Sequence, residues 1–97
     1  MKLDVLVISV HPDDAEMCAG GTILSHVENG NTVGIIDLTY GELGTRGSAE
    51  IREQEASEAG KILGLSVREN MGFRDGFFVN DEAHQRALIQ KIRQYQP

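Results

Sequence analysis

The most restrictive feature of this sequence is a nearly continuous apolar run, LDVLVISV, at residues 3–10. Most of its residues are leucine or β-branched, and it lacks the alternation of a strand with one wet face. Such a run is typical of a strand covered on both sides, as in a parallel sheet. Because parallel strands are joined by crossovers, usually helices, the rest of the chain is expected to alternate helices with strands.

The remaining sequence shows this alternation. It predicts a first helix that ends at Asn29-Gly30, followed by a strand at residues 32–39. A second helix is predicted at residues 49–63, with Ser48 as its N-cap and Gly64 as its terminator. A strand at residues 66–73 follows, and then a helix that is capped by Asn80 and runs to about Gln94. Spacing predicts that the helices bury Ile23, Leu24, Val27, Ile51, Ala56, Ala59, Ile62, Leu63, Leu88, Ile92 and Tyr95.

This order of elements predicts an α/β fold, a Rossmann-like three-layer sandwich with a mainly parallel sheet of strand order 3-2-1. That strand order leaves the apolar first strand with an unpaired edge, which soluble proteins usually avoid. The chain also ends where a further strand would begin beside it. We therefore expect residues 1–97 to be the N-terminal part of a larger domain whose C-terminal part is absent.

Charge and cysteine content narrow the classes of partner. Nine basic and fifteen acidic residues give a net charge of -6, which disfavours nucleic acid or an anionic membrane as the main partner. Cys18 is the only cysteine, and the first residues do not resemble a signal peptide. These features predict a cytoplasmic protein and leave room for a local basic site for a small anion; they leave open whether the protein forms a homo-oligomer.

A compact acidic motif, HPDDAE, follows the first predicted strand. The spacing of His11 and Asp14 suits two ligands of one zinc ion. Asp13 lies between them and would point elsewhere, where it could take a proton from an attacking water. Alternatively, Asp13 and Glu16 could form a capping box at the start of a helix. The residues alone do not separate these two interpretations, which are also compatible.

Charged residues in the later loops should meet this motif, because the carboxyl ends of parallel strands share one edge of the sheet. Arg52 is predicted near a helix N-terminus, where a cation is unfavourable unless an anion lies close by. It could also pair with Glu55 or Glu58 on the helix surface. The candidates from the other loops are Arg74, Asp75 and Glu42. Arg74 and Asp75 could instead form a pair that stabilises a turn, and Glu42 could be a solvent-exposed carboxylate.

Several separated motifs carry a family resemblance. HPDDAE, GGTI, TYGELGTRGS, EIREQEA and GFRDGFF occur in this order. Together they resemble the N-terminal half of the LmbE-like, or PIG-L, zinc-dependent N-acetylglucosamine deacetylases. Two of the loops look most like those of bacterial enzymes of bacillithiol synthesis, which act on N-acetylglucosaminyl malate. The resemblance implies an amide hydrolase that uses zinc and acts on a small N-acetylglucosamine conjugate.

The resemblance also implies roles for single residues. His11 and Asp14 match the first two zinc ligands and Asp13 matches the general base. Arg52 and Asp75 match positions that hold the substrate, for which Arg74 and Glu42 are further candidates.

The third zinc ligand of the family, and a histidine that assists the leaving group, belong to a later motif that this chain lacks. His26 and His84 lie within helical patterns and are not expected to replace the missing ligand. Because catalytic zinc normally has three protein ligands, the chain alone is expected to be inactive.

Two other functions remain open at this stage. One is a non-catalytic Rossmann-like module that binds a nucleotide or a sugar phosphate, although no G-x-G-x-x-G motif follows the first strand. The other is a metal-dependent phosphoesterase, since clusters of histidine and aspartate can hold two cations.

Overall fold

The computed structural model describes residues 1–44 and 48–97, and within them three strands alternate with three helices. In chain order these are β1 (Val5–Ser9), α1 (Asp14–Glu28), β2 (Val33–Thr39), α2 (Ala49–Leu63), β3 (Val67–Phe73) and α3 (Glu82–Tyr95). Within these described ranges, no helix is long and apolar enough to cross a membrane.

The three strands form one open parallel sheet in the order β1-β2-β3, with β2 in the centre. Val5 of β1 pairs with Val33 of β2, and Ile35 of β2 pairs with Arg68 of β3. The predicted α/β class, parallel sheet and strand order 3-2-1 are therefore confirmed. All three strands end at the same edge of the sheet, which places the loops after them side by side.

The helices cover both faces of the sheet. Val33 and Ile35 of β2 belong to a cluster with Ala15 and Ile23 of α1, against which Leu63 of α2 packs. On the opposite face, Ile36 belongs to a second cluster with Leu3 and Tyr95, the last residue of α3. Burying each large apolar side chain contributes roughly 1.5–3 kcal/mol. The core thus consists of two thin layers that meet at β2, the only described strand with neighbours on both sides.

Local cap chemistry sets the ends of α2 where the sequence predicts them. The Ser48 hydroxyl accepts a hydrogen bond from the Ile51 amide at 3.2 Å, and Gly64 ends the helix with a φ of 77°. The prediction for α3 is wrong by one residue. Asp81, not Asn80, is its N-cap, because the Asp81 carboxylate accepts from the amide of His84 at 3.0 Å.

Several predicted core positions are instead exposed. Ile62 is 82% exposed and Ile51 is 49% exposed, while Leu24 and Ile92 are also largely open. Within the described ranges, α2 buries Ala56 in its middle and packs Leu63, its last residue, against the core, so only part of the predicted apolar stripe is covered. Likewise β1 is shorter than the predicted strand at residues 3–10, and Ile8 is exposed in it.

Candidate functional site

The site begins where β1 ends. The carbonyl of Val10 accepts hydrogen bonds from the amide and hydroxyl of Thr39 at 2.9 and 3.1 Å, which fixes the chain as it leaves the sheet. A tight turn follows, in which the His11 amide donates to Asp14 Oδ2 at 3.0 Å and the Asp14 amide donates to the His11 carbonyl at 3.2 Å. These reciprocal bonds place the His11 and Asp14 side chains on the same side of the turn.

The two ring nitrogens of His11 face different carboxylates. Nδ1 lies 3.6 Å from Asp14 Oδ2, which is too far for a hydrogen bond. Nε2 lies 2.7 Å from Asp75 Oδ1, which is a short hydrogen bond to the loop after β3. The expected convergence of the loops is therefore present, since this bond joins the ends of β1 and β3 across 64 residues of sequence.

Asp75 is held from both sides by the loop after β2. Its Oδ2 accepts from the Leu43 amide at 3.0 Å, and its own amide donates to Glu42 Oε2 at 2.9 Å. The hydrogen bond from His11 and that from Leu43 lower the pKa of the Asp75 carboxyl, outweighing its burial. In the same way, the Asp75 amide lowers the pKa of Glu42. The Glu42 side chain thus supports the neighbouring loop, a role that the sequence did not indicate.

Asp13 is the strained residue of the turn. Its φ of 86° lies in the left-handed region, which aspartate tolerates better than most residues at a cost of roughly 1 kcal/mol. It precedes α1, but its side chain makes no capping hydrogen bond and is exposed. The capping-box interpretation of Asp13 and Glu16 is therefore wrong, and among the described residues the Asp13 carboxylate has no hydrogen-bond or ion-pair partner.

Glu16 instead belongs to a buried charged cluster behind the turn. Arg68 Nε donates to Asp37 Oδ2 at 2.8 Å, and Arg68 Nη2 lies 3.2 Å from Glu16 Oε1. Burial raises the pKa of Asp37, although the hydroxyl of Ser9 and the charge of Arg68 act in the opposite direction. This cluster links β1, β2, β3 and the first turn of α1. Asp37 and Arg68 lie far along the chain from Glu16, so no local pattern in the sequence indicated the cluster.

Arg52 lies against two glycines of the loop after β2. A Cβ atom at Gly41 would come within 2.5 Å of Arg52 Nη1, and one at Gly44 would come within 2.5 Å of Nη2. Only residues without a side chain permit the guanidinium to lie this close to the loop. In the described ranges, no ion pair joins Arg52 to Glu55 or Glu58, so the predicted surface pairing is not formed. Its charge acts on Asp75 instead.

These residues line an open cleft of about 420 Å³ at the carboxyl edge of the sheet. Its lining residues are His11, Pro12, Asp13, Asp14, Gly41, Leu43, Gly44, Arg52 and Asp75. Arg74 lies outside this lining, with its guanidinium carbon 4.9 Å from the centre of the Phe77 ring. No ion pair between Arg74 and Asp75 occurs in the described part of the chain. The cleft thus brings together five of the seven predicted site residues; Glu42 reaches it only through its bond to the Asp75 amide, and Arg74 lies apart.

Two donors in the cleft suit a zinc ion. Two ligand atoms on a tetrahedral zinc, each bound at about 2.0–2.1 Å, lie about 3.3–3.4 Å apart. The 3.6 Å between His11 Nδ1 and Asp14 Oδ2 is close to this value. Among the described residues, no group of three histidine, cysteine or acidic side chains is arranged to hold a metal. His26 and His84 bond to Asn31 and Asp81, away from the cleft.

Three features of the cleft were not predicted from the sequence: the amide of Leu43, the glycines that accommodate Arg52, and the bond between Asp75 and His11. The first is a backbone group and carries no side-chain signal. The spacing G-E-L-G did mark the loop as one with unusual backbone freedom.

Comparison with known proteins gives one family match. The PIG-L family model, described as GlcNAc-PI de-N-acetylase, matches residues 6–97. A curated relative, the probable N-acetyl-alpha-D-glucosaminyl L-malate deacetylase 2 of Bacillus anthracis, is 38% identical over 81 residues. The match covers 73% of this chain and 36% of the relative.

Solved structures share the fold. The crystal structure of a conserved protein from Thermus thermophilus has a TM-score of 0.93 and 44% identity, and the match covers 98% of this chain and 43% of that one. The 4-carboxy-2-hydroxymuconate hydratase of Pseudomonas putida KT2440 has a TM-score of 0.84 and 32% identity. That match covers 100% of this chain and 45% of the hydratase. The chain therefore spans less than half the length of each of these relatives.

Proposed function

The chain belongs to the PIG-L, or LmbE-like, family, and on that premise we propose that the protein removes the acetyl group from an N-acetylglucosamine conjugate with the help of a bound zinc ion. The observation that carries the proposal is the separation of 3.6 Å between His11 Nδ1 and Asp14 Oδ2, beside an exposed Asp13 carboxylate that caps no helix. The conjugate that we favour is N-acetylglucosaminyl malate, for which the relative from Bacillus anthracis is named.

In this proposal His11 and Asp14 would hold the zinc ion, together with a ligand outside the described residues. Zinc supplies two effects when bound: it polarises a carbonyl oxygen and it lowers the pKa of water towards ~7. The turn suits this role because both side chains are held before any metal arrives: the His11 amide holds the Asp14 carboxylate, and Asp75 holds the His11 ring. A preorganised pair loses less side-chain entropy when it binds the metal.

Asp13 is the proposed general base. Its carboxylate lines the cleft next to the two ligand candidates and is not used by a cap or an ion pair among the described residues. It could therefore accept a proton from the water that attacks the acetyl carbon. Proton transfer of this kind contributes about 10²–10⁴-fold to a rate.

Arg52 is the proposed contact for the group attached to the sugar. Arg52 lines the cleft, and its guanidinium lies against Gly41 and Gly44. A guanidinium can bind a carboxylate with two parallel hydrogen bonds, which suits the two carboxylates of a malate group. An acidic conjugate also explains why a cation near the start of α2 is tolerated.

A second candidate is the addition of water to a carbon–carbon double bond. The observation in its favour is the hydratase from Pseudomonas putida, which matches the whole chain at 32% identity. Its named substrate also carries carboxylates, so Arg52 would serve either reaction. The two functions differ in the bond that water attacks.

The first experiment is elemental analysis of the protein at its full natural length, beside His11→Ala and Asp14→Ala. We expect about one zinc per chain in the wild type and loss of zinc in both variants. His84→Ala is the matched control, because His84 also bonds to a carboxylate but lies away from the cleft. Zinc retained in both site variants would contradict the ligand assignment.

The second experiment compares two reactions of the same preparation. We expect acetate release from N-acetylglucosaminyl malate that depends on the metal. Metal-dependent hydration of an unsaturated dicarboxylate, without acetate release, would replace the deacetylase proposal with the hydratase. Neither activity, with no zinc bound, would favour the binding module.

A further inference from the structure

The contacts of Asp75 suggest a role that the resemblance does not imply. We propose that Asp75 is a positioning residue, which holds the His11 ring in the tautomer that carries its hydrogen on Nε2. This inference rests on the proposed function, since it concerns how His11 is prepared for a metal. It differs from the sugar contact expected for Asp75 from the resemblance.

The donors and acceptors around Asp75 determine the tautomer. Its Oδ2 accepts from the Leu43 amide, which can only donate. Its Oδ1 lies 2.7 Å from His11 Nε2, and an ionised carboxylate can only accept. The hydrogen of a neutral His11 ring must therefore lie on Nε2. That leaves the lone pair on Nδ1, the atom that faces Asp14 across 3.6 Å.

The position of Asp75 is itself fixed. Its side chain is only 8% exposed, and its amide is bonded to Glu42. The loop after β2 therefore holds Asp75 through the amide of Leu43 and the carboxylate of Glu42, and Asp75 holds His11. With both carboxylate oxygens occupied and the side chain buried, Asp75 is better placed to orient His11 than to bind a ligand in the cleft.

Histidines that bind metals usually donate their other ring hydrogen to a carboxylate or a carbonyl, and loss of that partner typically weakens metal binding 10- to 100-fold. Asp75 has the position and chemistry of such a partner. The variant Asp75→Asn tests this sharply, because an amide cannot satisfy both contacts as the carboxylate does. If its oxygen faces the Leu43 amide, its NH₂ group faces His11 Nε2 and drives the hydrogen to Nδ1.

The first readout is the tautomer of the neutral His11 ring in metal-free protein, measured by ¹⁵N NMR of its two ring nitrogens. We expect the Nε2–H form in the wild type and a shift towards Nδ1–H in Asp75→Asn. The control is Asp81→Asn, which changes the equivalent carboxylate beside His84 and should leave His11 unchanged. An Nδ1–H form in the wild type overturns the inference even if the variant fails to fold.

The second readout is zinc affinity, measured by competition with a chelator. We expect Asp75→Asn to bind zinc about 10- to 100-fold more weakly, and Asp81→Asn to bind it like the wild type. Equal affinity in Asp75→Asn, with the tautomer unchanged, also overturns the inference. A wild-type protein that binds no zinc would instead refute the proposed function, and the NMR result would still decide the role of Asp75.

Discussion

The guanidinium of Arg52 lies so close to the backbone of Gly41 that a Cβ atom there would come within 2.5 Å of Nη1. Gly41 also has a φ of +65°, which side chains rarely adopt. The glycine therefore has two functions in the loop: it permits the turn, and it leaves room for the cation that we assign to substrate binding.

Gly41→Ala should displace Arg52 from the cleft. We expect KM for an acidic conjugate to rise about 10- to 100-fold, which corresponds to the loss of a charge-assisted hydrogen bond. Zinc content should not change. The matched control is Gly30→Ala, because Gly30 has a φ of +84° but open space around it. That variant should lose roughly 1 kcal/mol of stability and keep its KM. A rise in KM in both variants would point to strain and not to Arg52.

Asp13→Asn should separate catalysis from metal binding. Asparagine tolerates the left-handed backbone of residue 13 but cannot accept a proton as a carboxylate does. We expect kcat to fall about 10²–10⁴-fold while zinc content stays the same. Glu50→Gln, at an exposed acidic position outside the cleft lining, should keep wild-type turnover. Near-normal turnover in Asp13→Asn would contradict the assignment of the base.

Arg68→Met should destabilise the fold strongly. It would leave Asp37, which is 2% exposed, and the half-buried Glu16 without their cation. Removing one partner of a buried ion pair costs about 3–5 kcal/mol in free energy of unfolding, measurable by urea denaturation. Lys91→Met removes a more exposed partner of Glu69 and should cost less than about 1 kcal/mol. Equal losses of unfolding free energy in the two variants would mean that the buried ion pairs of Arg68 stabilise the fold no more than the exposed pair of Lys91 does.

Tyr95→Phe should change the stability at alkaline pH. Tyr95 donates a hydrogen bond of 2.6 Å to Glu69, and this bond, with burial, raises the pKa of Tyr95 from 10.0 to about 12. The folded protein therefore holds the phenolic proton more tightly than the unfolded chain does. This contribution to stability is complete below about pH 10 and is lost as the pH rises from about 10 to about 12.

The measurement is the free energy of unfolding from pH 9 to pH 12, a range set by the pKa of Tyr95. The wild type should lose more stability across this range than Tyr95→Phe. Tyr40→Phe, which keeps Tyr95, should follow the wild type. Parallel curves for the wild type and Tyr95→Phe would refute the assigned role of this bond.

The sequence was most informative where structure is decided locally. Residues 49–63 form a helix as predicted because Ser48 and Gly64 supply both caps within the same short stretch. The parallel sheet was predictable because strands with apolar residues on both faces must be covered on both faces. The position of the site followed from this, since parallel strands bring their carboxyl ends together.

The features that the sequence did not predict depend on contacts between residues that lie far apart in the chain. Glu16 could serve a helix cap or a distant cation, and Arg68, 52 residues away, takes it. Ile51 and Ile62 are exposed although they share the helical spacing of buried residues, because spacing marks an apolar stripe without showing what packs against it. The family resemblance linked Asp75 to the substrate; its bond to His11 depends on how two loops meet in space, which no local pattern encodes.

The bond between His11 and Asp75 also ties the site to the order in which the chain folds. The proposed ligand pair lies within four residues and can form its turn early, whereas Asp75 arrives only when β3 has docked on β2. A contact between residues so far apart in sequence carries a loop-closure entropy that a local turn does not, and such contacts slow folding. A fluctuation that detaches β3 would release the His11 ring while leaving both ligand residues in place. The fraction of molecules in which Asp75 holds the His11 ring should therefore fall as β3 opens locally. Hydrogen exchange of the β3 amides would measure that opening.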